Sequence, residues 1–383
     1  MIFYHWLDKS TPPCVFCYSY YKTETEENPC GRSFGGESAE HEVSVQSARN
    51  VVRALDTKKY AITLIGIDRN GVWNLYETPE SFSDETEMFR KRNTSLETVF
   101  PVLSSSAKFL GGKGSEKIDV VFPVLHGPFG EDGTIQGLLK LVHVPFVGAD
   151  VLGSAIGMDK DVAKRLLRDA GIPIAKFLAF KQHERKNITF EKLKRSLGVP
   201  FFIKPASLGS SVGISKVRNK QECDTALELA FSYDTKILIE EYICGKEVEC
   251  AVLGNEAPTT SLCGEIVPHH EFYSYEAKYL DTNGAALSIP ANISSRVSEK
   301  IQKFAIRVFE VLCCEGMARV DFFVTDDENI FINEINTIPG FTSISMYPKL
   351  WEASGISYAK LIDTLIELAI ERFHEKRKLK TSF

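Results

Sequence analysis

The sequence holds no uninterrupted apolar run of the roughly 18 residues that a membrane-spanning helix needs, so no membrane span is expected. It opens without the marks of a secretory leader: Met1–Cys14 lacks a basic start, and Pro12-Pro13 cuts its short apolar stretch. Positive charge is not in excess. The 51 acidic side chains outnumber the 45 basic ones and leave a formal charge of −6, which argues against a nucleic-acid surface. No G-x-x-x-x-G-K-[ST] segment occurs, which excludes a P-loop, and Gly31, Gly35 and Gly36 do not form the G-x-G-x-x-G of a dinucleotide fold. Repeats and low-complexity segments are absent. The nine cysteines are odd in number and scattered, so no disulfide framework is expected. Cys14-x-x-Cys17, with Cys30 nearby, has no second pair to complete a zinc set. Together these absences point to a cytoplasmic protein with free thiols and neither nucleic acid nor membrane as partner.

What is present describes a globular chain. Its 383 residues suffice for two or three domains, and 44% hydrophobic with 25% charged content supplies ample core. From about Phe34 to Asp150, apolar runs alternate with helical stretches. Tyr60–Ile67 and Ile118–Leu125 read as buried strands and Ser44–Leu55 as a helix, a βαβ pattern that predicts a doubly wound parallel sheet. Thr78–Arg92 is polar and reads as a surface connection. Ser154 opens a helical pattern that closes at Gly171-Ile-Pro173. From there to Ile243, strands (Ala175–Phe180, Lys236–Ile243) and helices (Thr189–Leu197, Lys220–Phe231) make an α+β unit. Beyond Gly245 come strands from Glu247 to Leu253, a long polar loop Tyr273–Ala286, a helix Arg296–Leu312, a hairpin and an amphipathic helix Tyr358–Phe373.

Two segments carry chemistry. In KPASLGSSVGIS, from Lys204 to Ser215, a lysine ends an apolar strand and a loop of glycine and serine follows. Glycine lets backbone N–H groups approach a ligand and serine adds hydroxyl donors, which is the make-up of a phosphate cradle. The second segment is the hairpin Gly316–Val324 and Ile330–Asn336 around the turn-rich Thr325–Asn329. With the turn centred on Asp327-Glu328, antiparallel pairing sets Asp321 opposite Glu334 and Arg319 opposite Asn336, all on one face; Val320 against Ile335 and Val324 against Phe331 form a core face. Two carboxylates and an amide on one face call for a cation, and an oxygen-only donor set favours magnesium completed by substrate phosphates. Alone, the same face also fits an exposed hairpin with an Asp–Arg pair. The loop Asn336–Ser343, built of small and turn-forming residues, suits a substrate site and tips the reading toward the metal.

These segments join others in a resemblance. Gly35-Gly-Glu-Ser-Ala-Glu-His-Glu-Val-Ser44, His126-Gly-Pro-Phe-Gly-Glu-Asp-Gly-Thr-Ile-Gln136, Gly153-Ser-Ala-Ile-Gly-Met-Asp-Lys160, the Lys204 loop, Glu276-Ala-Lys-Tyr279, Ala318-Arg-Val-Asp321 and Asn333-Glu-Ile-Asn-Thr-Ile-Pro-Gly340 stand in one order over residues 34 to 375. The chain resembles the D-alanine–D-alanine ligases, which have the ATP-grasp fold. The resemblance implies an α/β and α+β architecture: a Rossmann-like first domain (1–148, with 1–30 an atypical extension), a central ATP-binding unit (149–243) and a C-terminal unit with the metal and substrate site (244–383). It implies ATP as substrate, two magnesium ions that manganese can replace, a homodimer, and a role in peptidoglycan precursor synthesis.

The resemblance also assigns residues. Lys160, Lys204, Ser210 and Ser211 contact phosphates. Glu240, Glu241, Tyr242 and Ile243 line the adenine slot through backbone groups, Glu247 takes the ribose hydroxyls, and Phe323 and Asn333 complete the nucleotide site. Asp321, Glu334 and Asn336 become the metal ligands. Glu40 holds the first D-alanine ammonium beside His126, Arg319 stabilises the oxyanion, and Gly340, Ser345 and Met346 hold the second carboxylate. Lys278 and Tyr279 sit on a lid formed by the long polar loop. Ser210, Glu40 and Tyr279 form one hydrogen-bonded set, and Tyr279 marks dipeptide- rather than depsipeptide-forming members. Single residues keep plainer roles open: Glu131 also reads as a cap for the helix from Thr134. A D-alanine–D-lactate ligase and an inactive nucleotide-binding relative are the competing readings. The segment Glu27–Phe34 departs from the pattern, with proline, glycine and arginine where a buried first strand belongs. A weak first strand and loose residues before Asn28 are expected, unless Val15–Tyr20 supplies a replacement.

Overall fold

The computed structural model describes residues 3–4, 14–15, 20–21, 41–68, 71–76, 97–98, 100–102, 108–111, 114–268 and 285–380. Residues 28–34 lie outside them, so the weak first strand does too. Ahead of that segment, Phe3–Tyr4 pairs antiparallel with Val120–Val121, Cys14–Val15 parallel with Ala61–Ile62, and Tyr20–Tyr21 parallel with Ile67–Asp68. The loose attachment expected before Asn28 is corrected at these points, where short backbone pairings tie the segment to the first domain; residues 16–19 of the alternative strand Val15–Tyr20 lie outside the described residues. The helix His41–Ala54 covers these strands with Ala48, Val51 and Val52, and Phe146 adds a parallel bridge to Val121.

The helix expected to run unbroken through residues 154–169 is two helices, Val151–Met158 and Lys160–Asp169. Asp159 breaks it. Its extended backbone ends the first helix, and its carboxylate accepts from the N–H groups of Asp161 and Val162 to cap the second. Asp150 caps the first in the same way, so the start lies ahead of Ser154. The break leaves Lys160 in the first turn of the second helix, where its N–H donates to Ala206 O at the mouth of the glycine-serine loop.

Two antiparallel sheets form the cleft walls. The central sheet runs Phe177–Lys181, Lys236–Glu241, Phe201–Pro205, Ser215–Val217. Alternation sends Phe201, Ile203, Ile237 and Ile239 into a core with Leu193, Ala226 and Ala230 of two covering helices, and turns Lys204 and Glu240 to the other face. The C-terminal sheet runs Ala285–Ser288, Thr259–Pro268, Lys246–Gly254, Gly316–Val324, Ile330–Asn336. Val248, Cys250, Val252, Val320 and Phe322 pack on the helix Ser295–Val311 through Ile301, Ala305 and Val308.

The hairpin register agrees with the sequence at the site and departs from it at the tip. Arg319 faces Asn336, Val320 faces Ile335 and Asp321 faces Glu334, but Phe322 faces Ile332 and Val324 faces Ile330. The expected Val324–Phe331 pair is therefore wrong. Asn333 is an extra residue, a bulge that shifts the pairing by one. It lets Ile330, Ile332 and Ile335 all reach the core although they do not share one alternation.

Candidate active site

The central wall is a buried charge cluster. The Lys204 ammonium lies 2.6 Å from Glu240 Oε2, and Lys164, 2% exposed, lies 3.0 Å from Oε1 of the same carboxylate. Burial alone would lift the Glu240 carboxyl, but Lys164 and then Lys204 outweigh it and hold the group below its ordinary range. Burial pushes Lys164 down from the ordinary lysine range; Glu240 opposes this and Lys204 adds to it. Sequence reasoning missed Lys164. The signal was there: Lys160-x-x-x-Lys164 puts both ammonium groups on one helix face. With its side chain held by two lysines, Glu240 offers a ligand only its backbone.

Above this cluster the loop 207–214 is held in an uncommon shape. Ser210, Ser211 and Gly213 all have positive φ, 51°, 61° and 71°. Two consecutive serines in the left-handed region cost strain, and successive N–H groups of such segments point inward as anion cradles. A Cβ at Gly213 would stand 2.9 Å from Pro205 and Tyr233 side-chain atoms. Lys160 Nζ donates to Leu208 O at 2.6 Å and lies 3.4 Å from Glu334 Oε2, so it ties this loop to the hairpin.

At the end of the strand Lys236–Glu241, Glu241 reaches toward Lys176: its N–H donates to Lys176 O at 3.0 Å and its Oε1 accepts from Lys176 N–H at 2.7 Å. Tyr242 stacks at 6.0 Å on Phe202 with Lys216 over its ring at 4.3 Å. Glu247 sits opposite Phe323, which sits opposite Phe331, in one line across the sheet.

The hairpin wall has the opposite sign. Register lines up Glu249, Asp321 and Glu334 across three strands. Arg319 forks onto Asp321, Nε to Oδ1 at 2.8 Å and Nη2 to Oδ2 at 2.7 Å, and Asn336 Nδ2 donates to Oδ2 at 3.0 Å. Arg319 Nε is also 2.9 Å from Glu249 Oε2. Burial works against the guanidinium charge, but Asp321 and then Glu249 more than offset it and raise its pKa well above the ordinary arginine range. Among the described residues no three or more carboxylate, imidazole or thiol groups are spaced to hold an ion by themselves. The donor set of Asp321, Glu334 and Asn336, all oxygens from two carboxylates and an amide, fits a hard cation whose remaining ligands come from phosphate.

The third wall comes from the first domain and the loop after the hairpin. His126 Nδ1 lies 3.0 Å from Ile338 O, so Nδ1 carries the hydrogen and Nε2 accepts from Ser47 Oγ at 3.4 Å. Ser47 Oγ in turn accepts from Phe341 N–H at 3.0 Å, and Asn50 donates to Phe341 O. Burial pushes the imidazole down to about 4, and Arg319 adds to this, so it is neutral at pH 7. Ser47 went unnoticed in the sequence; its burial on the same helix face as Ser44 is its only mark. Phe341 itself packs edge-on to Phe122, Tyr347 and Tyr358. A Cβ on Gly340 would lie 2.7 Å from Ser345 Oγ, and Ser345 is the N-cap of the helix Met346–Ala353. Glu131 caps a turn rather than the Thr134 helix: Oε2 accepts from Gly127 N–H at 2.7 Å, while Asp132 serves Thr134. Glu40, Lys278 and Tyr279 lie outside the described residues, as do Cys17 and Cys30.

Comparison with known proteins agrees over nearly the whole chain. Residues 33–149 match the family model described as D-ala D-ala ligase N-terminus, and 166–367 the model for D-ala D-ala ligase C-terminus. A D-alanine–D-alanine ligase of Oceanobacillus iheyensis is 52% identical over 363 residues, covering 92% of this chain and 98% of that one. D-alanine–D-alanine ligase A of Salmonella typhimurium is 48% identical over 357 residues, with 92% and 98% covered. Among solved structures, the D-alanine-D-alanine ligase from Coxiella burnetii superposes with a TM-score of 0.82 at 40% identity, covering 95% of this chain and 96% of that one. The VanG D-Ala:D-Ser ligase from Enterococcus faecalis gives 0.80 at 39%, covering 92% and 99%.

Proposed function

Because the chain belongs to the D-alanine–D-alanine ligase family, with its ATP-grasp fold, we infer that it joins two D-alanine molecules in an ATP-dependent reaction that releases ADP and phosphate. The observation that carries this reading is the 3.4 Å approach of Lys160 to Glu334, which brings the phosphate lysines and the acidic hairpin into one cleft.

A carboxylate is a poor electrophile. Transfer of the γ-phosphoryl group to the first D-alanine makes an acyl phosphate; the amine of the second attacks its carbonyl carbon, a C–N bond forms and phosphate leaves. Lys160, Lys204, Ser210 and Ser211 hold the phosphates. The backbone from Glu240 to Ile243 and the Phe323 and Asn333 side chains frame the base, and Glu247 takes the ribose. Asp321, Glu334 and Asn336 would hold two magnesium ions, or manganese in their place, and the bound ions would supply positive charge against that of the transferred phosphoryl group. Arg319 stabilises the oxyanion formed when the amine attacks. Glu40, beside His126, holds the first ammonium, and Ser345 with the N–H groups near Gly340 and Met346 holds the second carboxylate. Lys278 and Tyr279 close the lid and exclude water. Domains of 1–148, 149–243 and 244–383, a homodimer and a cytoplasmic location complete the reading.

The test is coupled ADP release from ATP with D-alanine, run beside D-serine, D-lactate and L-alanine. Release with D-alanine alone, and formation of the dipeptide, is the expected result; preference for D-lactate or D-serine gives a different acceptor, and no release with any of them removes the ligase reading. Tyr279→Phe, by losing only a hydroxyl, should raise D-lactate incorporation relative to D-alanine.

A further inference from the structure

We infer that Glu249 is a positioning residue for Arg319, the group that keeps the guanidinium in place when Asp321 is drawn to a metal ion. The inference rests on the ligase reading above. One nitrogen of Arg319 lies between two carboxylates: Nε donates its hydrogen to Asp321 Oδ1 at 2.8 Å and is 2.9 Å from Glu249 Oε2, a contact between opposite charges off the line of that N–H. Nη2 donates to Asp321 Oδ2 at 2.7 Å. Asp321 is thus engaged at both oxygens by Arg319, and at Oδ2 by Asn336 as well. A divalent cation at Asp321 competes with this fork. Without a second anchor, a buried guanidinium would follow whichever anion lay nearest, the phosphates included.

Glu249 supplies that anchor from the adjacent strand. It is 5% exposed and stands opposite Asp321, on the side away from Glu334. Ala251 stands opposite Arg319, and its small side chain leaves room for the arginine to lie back along the strand toward Glu249. A third metal ligand would be the other role for such a carboxylate, but Glu249 does not form an ion-holding cluster with Asp321 and Glu334. In the sequence, Glu249 follows Glu247 by two residues and so shares its face, with Val248 and Cys250 on the core side.

The experiment uses Glu249→Gln, Glu249→Asp and Arg319→Lys in the full chain. Wild-type turnover of D-alanine is measured first and tests the ligase reading alone. Glu249→Gln should lower kcat on the order of 10- to 100-fold, leave KM for ATP within about twofold and leave Mn2+ binding, read by EPR, unchanged. Glu249→Asp should recover part of the loss. In an Arg319→Lys background, Glu249→Gln should cost less than about threefold, because a residue that acts through Arg319 is not additive with it. A readout free of turnover is the 15Nε–H signal of Arg319 with ADP and Mg2+ bound: its exchange with water should quicken in Glu249→Gln. Weaker Mn2+ binding would make Glu249 a metal ligand instead. Losses that multiply in the double variant, an unchanged kcat, or an unchanged Nε–H signal would each overturn the proposal; if Glu249→Gln is too unstable to purify, the same cycle is read with Glu249→Asp.

Discussion

The central wall and the hairpin wall of the cleft are both charge clusters in sheet faces, and they are unbalanced in opposite senses. On the central side, Lys164 and Lys204 share one carboxylate, Glu240. On the hairpin side, Glu249, Asp321 and Glu334 stand around one guanidinium, with Lys160 reaching in from the helix. Neither cluster is at rest by itself, since buried charge is costly unless paired. Among the described residues the first is short of anions and the second of cations. On the proposed reading a triphosphate carrying divalent ions would supply both, one wall taking phosphate directly and the other through metal.

One substitution made on each wall separates them. Glu334→Gln removes negative charge from the wall that already has too much. Turnover should be lost, while the melting temperature moves by less than about 4 °C; near-normal phosphate release at ordinary magnesium would end the hairpin reading. Glu240→Gln removes it from the wall that has too little and leaves two buried ammonium groups facing each other. Stability should fall by about 3–5 kcal/mol, read by urea unfolding, with part restored by ATP, which binds only the folded state. Equal behaviour of the two variants would erase the distinction.

The third wall sharpens the comparison through pH. The folded chain keeps His126 neutral down to about 4, while an unfolded chain protonates it near 6.5. Between those values the unfolded state binds the extra proton. Its contribution to stability is complete above 6.5 and is lost as pH falls toward 4, amounting to about 3 kcal/mol. A His126→Asn variant should show a flatter stability profile across that window, measured by chemical denaturation; an unchanged slope would mean that the imidazole is not held neutral. The smallest effect belongs to the loop of the central wall. Ser211→Gly frees a left-handed residue of its strain and should be more stable than Ser211→Ala by about 0.5–1 kcal/mol, with ATP binding weakened in both because each lacks the hydroxyl.

The hairpin site was legible because strand alternation is a simple rule and four polar residues obeyed it: Arg319, Asp321, Glu334 and Asn336 share their face as pairing required. The tip was not, since a bulge has no composition of its own and Asn333 looks like any other polar strand residue. Lys204 could be read from the glycine and serine after it, whereas Lys164 had only its spacing from Lys160 to mark it until Glu240, 76 positions away, was placed beside it. The break at Asp159 was not read because a helix break of one residue preserves the apolar pattern on both sides. Glu249 was passed over for a related reason: its partner Arg319 is a neighbour in the sheet and distant in the chain.

The bulge at Asn333 also bears on how this hairpin can change length over generations. Before it, even-numbered residues of the strand, Ile330 and Ile332, point to the core; after it, the even-numbered Glu334 and Asn336 point to the cleft and Ile335 takes the core side. Losing Asn333 would leave the pairs from Asp321 to Arg319 standing, because Glu334 then follows Ile332 directly in an unbroken ladder, but it would take away a side chain proposed to meet the nucleotide. Gaining or losing a residue in the tip, 325–329, moves no rung. A single insertion between Glu334 and Asn336 has no such shelter: it puts a polar side chain into the core or takes the amide out of the site. A change of length is thus tolerated at the tip, is neutral for the ladder but not for the nucleotide at Asn333, and is forbidden a few residues further on.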